Sequence, residues 1–319
     1  MIVQACLNGG HPPSYHPAIP VTIRAMLEDG RKVIAAGASE IHLHVRGEDG
    51  LESLAPKYVD ATITALKTAL PGTLIGISTG AWIEKDDDRL LGYLDRWSAL
   101  PDYASVNLSE RNAPALMEKL HRLGVGIEAG LAHKDDAERL LKLGLDRLAL
   151  RLLVEIDEQN VDRAQVAADE ILSVLRSARF AKPILLHGAD ASAWPLLRRA
   201  LASGFSTRIG LEDAEILPDG SVAASNTELV AAAVRILQET GSAAASLWCD
   251  RLILDQRRQG LQSFPGRTEL LLCFGQTEAG FDRSLAQAGI VQYFGPNRFS
   301  LRPPPGTQQR FSAELLPIA

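Results

Sequence analysis

The sequence predicts a (β/α)8 TIM barrel carrying a C-terminal extension. Three observations carry that expectation. Eight short apolar runs of strand character recur over roughly the first 240 residues, as expected of parallel strands buried on both faces. Stretches of helical period separate them. Polar side chains with chemical capability gather at the C-terminal ends of the runs, where such barrels build their sites. A doubly wound open sheet is the competing arrangement of the same alternation.

The strands are read in order as residues 2–8 (IVQACLN), 40–45 (EIHLHV), 73–79 (TLIGIST) and 103–108 (YASVNL). Residues 126–131 (GIEAGL), 147–154 (RLALRLLV), 183–188 (PILLHG) and 206–213 (STRIGLED) follow. Helical periodicity marks residues 17–38, 115–124, 136–145, 161–179 and 226–241. Gly124 ends the second of these as a C-cap glycine would. The barrel is assigned to residues 1–244. Residues 245–319 form an extension of mixed apolar, glycine and proline content, expected to be helical in part and to pack on the barrel or at a subunit interface.

Composition narrows the function classes. The chain of 319 residues is 46% hydrophobic and 23% charged, ordinary for a soluble enzyme with a large core. A net charge of −6 without a basic patch argues against nucleic acid as a partner. Cys6, Cys249 and Cys273 are distant from one another and lack CxxC spacing, which argues against a disulfide framework or a cysteine zinc site. The opening MIVQACLNGG lacks the pattern of a signal peptide, and no apolar run is long enough to span a membrane. A reduced, cytoplasmic protein acting on small molecules is expected.

In the second strand, His42 and His44 are two residues apart and share one face. Imidazoles suit an apolar barrel–helix interface poorly, whereas two at a barrel mouth can share one zinc ion. The bland alternative is a pair of hydrogen-bonded strand histidines. Glu212, at the end of the eighth strand, is the best third ligand, with His187 and His133 behind it. Arg208 lies four residues before Glu212 on the same strand face, where it needs a carboxylate partner such as Asp213 or a substrate. Ser78 and Asn107 end the third and fourth strands and can donate hydrogen bonds to a developing oxyanion. Glu128 requires a partner, for which Arg151 is available. The turn Asn8-Gly9-Gly10-His11 permits close backbone approach to a ligand.

Several segments together, ACLNGGHPPSYHPAIPVT, GASEIHLHVRGEDG, IGISTGAW, ASVNLSERN and STRIGLEDAEILPDGSVAASNTELVAAAVRIL, resemble the β-keto acid cleavage enzyme family, typified by 3-keto-5-aminohexanoate cleavage enzyme. The resemblance spans roughly residues 2–241. It implies a zinc-containing barrel, a homotetramer or dimer, that condenses a β-keto acid with acetyl-CoA to give acetoacetate and a new acyl-CoA. It implies His42, His44 and Glu212 as zinc ligands and Asp213, held by Arg208, as the base. Ser78 and Glu128 match family site residues, and Asn8, Ser105 and Asn107 stand at substrate-contacting positions. His11 stands where the family often has a glutamate, so a neutral or anionic keto acid is expected rather than an amino-bearing one. The competing reading is an amidohydrolase-like metal-dependent hydrolase acting without CoA. Against it, the histidine pair lies on the second strand and no lysine sits at a strand end. A catalytically silent binding protein is the third reading.

Overall fold

The computed structural model describes residues 1–240 and three strands between 291 and 314. Eight parallel strands follow one another as β1 (Val3–Cys6), β2 (Glu40–Leu43), β3 (Leu74–Ser78), β4 (Tyr103–Asn107), β5 (Gly126–Leu131), β6 (Arg151–Ile156), β7 (Ile184–Gly188) and β8 (Thr207–Ile209). Their helices are α1 (Ile23–Ala35), α2 (Pro56–Ala69), α3 (Asp87–Leu94), α4 (Ala113–Arg122), α5 (Lys134–Lys142), α6 (Val161–Ser177), α7 (Ala193–Ala202) and α8 (Asn226–Glu239). Strand order runs β7-β6-β5-β4-β3-β2-β1-β8. A bridge between Leu185 and Ser206 brings β7 against β8 and nearly closes the ring. This is the expected (β/α)8 barrel.

The sequence builds it by alternation. In β1, Val3 and Ala5 join the apolar core between strands and helices, while Gln4 belongs to a polar network with side chains of β2, β4 and β5. Ile41 and Leu43, Ile75 and Ile77, Ile127 and Ala129, and Leu152 and Val154 repeat the outward pattern. The helices meet them with apolar stripes. On α1 these are Met26, Gly30 and Val33, and the Thr22 hydroxyl accepts from Ala25 N at 3.1 Å to start the helix.

Inside the barrel floor sits a polar layer. Arg151 donates to Glu128 at 2.7 Å and also pairs with Glu40. Gln4 donates to Glu40 and Glu128, both at 2.9 Å, and to the Tyr103 hydroxyl at 3.1 Å. The Tyr103 ring passes where a Cβ on Gly76 would stand 1.9 Å away, so only glycine fits opposite it.

Two strands depart furthest from the expected bounds. β6 begins at Arg151 rather than 147, because Leu145–Arg147 form a 3-10 turn. β8 ends at Ile209, since Gly210 lies so close to the Cys6 carbonyl that no side chain fits and the chain turns there. Helices α2, α3 and α7 complete a set of which the periodicity picked out five.

The chain divides into compact units Met1–Phe264 and Pro265–Ala319. In the second, β9 (Val291–Gly295), β10 (Arg298–Leu301) and β11 (Phe311–Glu314) form an antiparallel sheet in the order β11-β10-β9. The helical part expected in the extension, and its packing, lie outside the described residues.

Candidate active site

At the C-terminal mouth of the barrel is a cleft of about 180 Å³. His11, His42, His44, Ser78, Ser105, Asn107, His187, Arg208, Glu212 and Asp213 all line it. The strand ladder of β2 stops at Leu43, yet the alternation persists one residue further. Both imidazoles therefore face the mouth. His42 Nε2 lies 3.7 Å and His44 Nε2 3.5 Å from Glu212 Oε1.

Ligand atoms of His42, His44 and Glu212 all lie within 4.8 Å of one another. Ligands about 2.1 Å from one tetrahedral ion stand roughly 3.4 Å apart. The spacing here fits that, and Glu212 Oε2 is buried with no hydrogen-bond partner. Two imidazoles and a carboxylate suit a borderline divalent ion such as zinc. Burial pushes the His42 imidazole down to about 4, against the pull of Glu212. His44 is also disfavoured by burial, but Glu212 and Glu52 outweigh it and push the group up to about 9.

Arg208 holds the next layer. Its Nη2 lies 2.7 Å from Asp213 Oδ1, 2.9 Å from Glu212 Oε1 and 3.5 Å from Glu155 Oε2. Simple alternation along an eighth strand reaching 213 sends Asp213 away from Glu212. The turn at Gly210 instead brings both carboxylates to Arg208. Asp213 Oδ2 is buried and unpartnered. Burial raises the Asp213 carboxyl above its ordinary range, with Arg208 opposing. His187 presents Nδ1 to Asp213 Oδ1 at 3.5 Å and its Nε2 to Glu155 Oε2 at 3.2 Å. Despite burial, His187 and Arg208 hold the Glu155 carboxyl down to about 2.

Two expected site residues stand elsewhere. Asn8 does not line the cleft. Its amide accepts from His44 N at 2.8 Å and donates to His44 O and Pro20 O at 3.0 Å each, so it fixes the His44 backbone instead of a substrate. Glu128 also lies off the cleft, in the floor layer with Arg151. Its Oε1 is shared by Arg151 and Gln4, and its Oε2 is buried without a hydrogen-bond partner. His133, a runner-up ligand, is the N-cap of α5. His11 stacks on Tyr15 at 3.9 Å and places Nε2 3.0 Å from Glu212 O. Gly9 permits this approach, because a Cβ there would stand 2.7 Å from Glu212 Cγ.

Residues that sequence reading missed complete the site. A tight turn after β2 pairs Arg46 with Glu52 and returns Glu52 to His44. The Asp49-Gly50 dipeptide is its sequence signal. Glu155 escaped because β6 was placed too early. Asn226 of the SNTELV segment accepts from Leu211 N at 2.7 Å and donates to Leu7 O at 2.8 Å, which pins the turn carrying Glu212 and Asp213.

Comparison with known proteins decides what this mouth belongs to. Residues 1–255 match the family described as beta-keto acid cleavage enzyme. The chain belongs to the β-keto acid cleavage enzyme family. It is an enzyme of carbon–carbon bond cleavage and acyl transfer. It is 25% identical over 260 residues to a 3-keto-5-aminohexanoate cleavage enzyme of Acetoanaerobium sticklandii, spanning 77% of this chain and 94% of that one. It is 26% identical over 271 residues to a 3-oxoadipate:acetyl-CoA acetyltransferase of Cupriavidus necator, spanning 79% and 94%. Among solved structures it resembles ObcA in a ternary complex with a C4-CoA adduct and oxalate. The TM-score is 0.61 at 18% identity, covering 75% of this chain and 68% of that one, a likeness of fold alone. Among the described residues no helix is long and apolar enough to cross a membrane.

Proposed function

We propose that the protein is a zinc-dependent enzyme that converts a β-keto acid and acetyl-CoA into acetoacetate and a new acyl-CoA. The observation that carries this is the adjacency of the His42, His44 and Glu212 cluster to Asp213, whose unpartnered Oδ2 is buried beside it. The family match and the acetyl-CoA-using relative support it.

His42, His44 and Glu212 would hold the metal, which when bound supplies Lewis acidity toward the keto acid's oxygens. Arg208 grips Asp213 Oδ1 and leaves Oδ2 to take a proton from the α-carbon. The raised Asp213 carboxyl brings it nearer the working pH of a general base. The α-carbanion attacks the thioester carbonyl of acetyl-CoA, a carbon–carbon bond forms and CoA thiolate leaves. That thiolate attacks the former keto carbon. The bond between that carbon and the α-carbon then breaks, the protonated Asp213 returns its proton to the α-carbon, and acetoacetate and the new acyl-CoA are released. Ser78, Ser105 and Asn107 offer hydrogen bonds to the oxyanions that develop.

His11 supports a keto acid without a distal amine. Arg208 is the only lysine or arginine among the described cleft-lining residues, and three carboxylates already share it. A second substrate carboxylate would find no cation there, so a neutral distal group fits best. Faster turnover of an amino-bearing keto acid than of an uncharged one would overturn that preference.

The test of the whole reading is zinc content and acetoacetate formation in wild type and a His42→Ala/His44→Ala variant. About one zinc per chain, lost in the variant together with a fall in activity of at least about 10²-fold, is expected. Zinc retained in the variant, or turnover without CoA, would overturn it, the latter in favour of a hydrolase. The homo-oligomer and cytoplasmic location implied by the resemblance belong to the same proposal.

A further inference from the structure

We propose that Glu52 is a positioning residue that locks His44 into presenting Nε2 to the metal, and that Trp82 holds Glu52 in that role. The proposal rests on the metal reading above and extends it to residues outside the ligand set.

The two ring nitrogens of His44 face different groups. Nδ1 lies 2.5 Å from Glu52 Oε1, while Nε2 faces Glu212. A carboxylate at Nδ1 requires the proton to sit there, which leaves the Nε2 lone pair for an ion. The same hydrogen bond makes Nε2 a stronger donor to a metal and fixes the ring plane. Glu52 is not itself placed to coordinate. Its Oε1 is taken by His44, and its Oε2 accepts from the Trp82 indole N–H at 3.0 Å.

The support for Glu52 comes from several elements at once. Its backbone is fixed by the Arg46–Glu52 bridge, and Arg46 is in turn tied to the carbonyls of Gly9 and His11 in the loop after β1. The His44 backbone is held by the Asn8 amide at both its N–H and its carbonyl. The Trp82 ring lies against the His44 ring, with centroids 6.3 Å apart and planes 26° apart, although half of the residue is exposed. A large aromatic left 50% exposed at a polar mouth is poorly explained by burial. A tryptophan that both shields and hydrogen-bonds Glu52 is well explained. His42 supplies the contrast, because its Nδ1 has no hydrogen-bond partner among the described residues. One ligand histidine is braced and the other is not.

The experiment compares metal-stripped full-length wild type, Glu52→Ala, Glu52→Gln and Trp82→Phe. Each is checked for folding by circular dichroism and thermal melting. Zn²⁺ is then titrated against a chromophoric chelator, and the visible spectrum of the Co²⁺-loaded protein is recorded. Glu52→Ala should weaken Zn²⁺ binding by about 10- to 100-fold and alter the Co²⁺ bands. Glu52→Gln keeps an oxygen for Nδ1–H but loses the charge, so its effect should be smaller. Trp82→Phe should be smaller again. Glutamate variants that bind Zn²⁺ as tightly as wild type with unchanged Co²⁺ spectra would overturn the proposal and leave the metal reading standing. If Glu52→Ala does not fold, Glu52→Gln decides by the same two readouts. Wild type that binds no Zn²⁺ would overturn both.

Discussion

Two clusters of buried charge occupy the same barrel, one at its floor and one at its mouth, and they treat their atoms differently. β2 supplies Glu40 to the floor and His42 to the mouth, and β6 supplies Arg151 and then Glu155. At the floor, one guanidinium, two carboxylates, an amide and a phenol satisfy one another, with Glu128 Oε2 as the exception. At the mouth, His42 Nδ1, Glu212 Oε2 and Asp213 Oδ2 are all buried without a hydrogen-bond partner. Each such atom costs on the order of 1–3 kcal/mol. A closed network is what stability requires. A network left open is what binding and proton transfer require.

The strongest way to break this comparison is Arg151→Met at the floor. It strands Glu40 and Glu128 without their guanidinium and should cost about 3–5 kcal/mol in urea unfolding. An unchanged midpoint would show that the floor does not hold the barrel. The mouth should respond in the opposite currency. Asp213→Asn keeps the shape and leaves Arg208 two carboxylates, so turnover should fall by about 10²- to 10⁴-fold with melting temperature nearly unchanged. A large loss of stability there would erase the distinction.

A subtler effect lies behind the mouth. Asn226 donates to Asp29 of α1 at 2.7 Å, and burial pushes the Asp29 carboxyl up to about 6 despite that bond. The folded chain thus holds this proton more tightly than the unfolded one. The resulting stability is complete below about pH 4 and is lost as pH rises through about 6, by up to about 3 kcal/mol. Asp29→Asn should flatten that part of the pH–stability curve, and a profile identical to wild type would remove Asp29 from the account. The smallest expected effect is Thr22→Ala. Losing the cap of α1 should cost about 1 kcal/mol while activity stays constant, and a drop in turnover would couple α1 to the mouth.

How much of this was legible follows from what periodicity encodes. Buried parallel strands declare themselves as apolar runs, so the barrel was readable, as was the shared face of His42 and His44. Height within the barrel is not written in a single strand. Glu128 and Asn8 read as site residues because they are polar and near strand ends, yet one lies in the floor and the other braces a backbone. Glu155 was hidden by a strand that starts four residues later than its apolar run, behind a 3-10 turn. Glu52 was hidden by a loop whose return to His44 depends on the tight turn at residues 47–51. Asp213 joined Glu212 only because Gly210 ends β8 early.

The ring of strands has one thin place. Between β7 and β8 it is held by the Leu185–Ser206 bridge, with Leu186 N donating to Ser206 O at 2.9 Å, Ser206 N to Ile184 O at 3.0 Å and the Thr207 hydroxyl to Leu186 O at 3.0 Å. His187 rides on one lip of that seam, and Arg208 and Asp213 ride on the other. A hoop cut at one point springs open at the cut. On warming, that seam is expected to open first, while the rest of the hoop is still whole, so activity should be lost before the barrel melts.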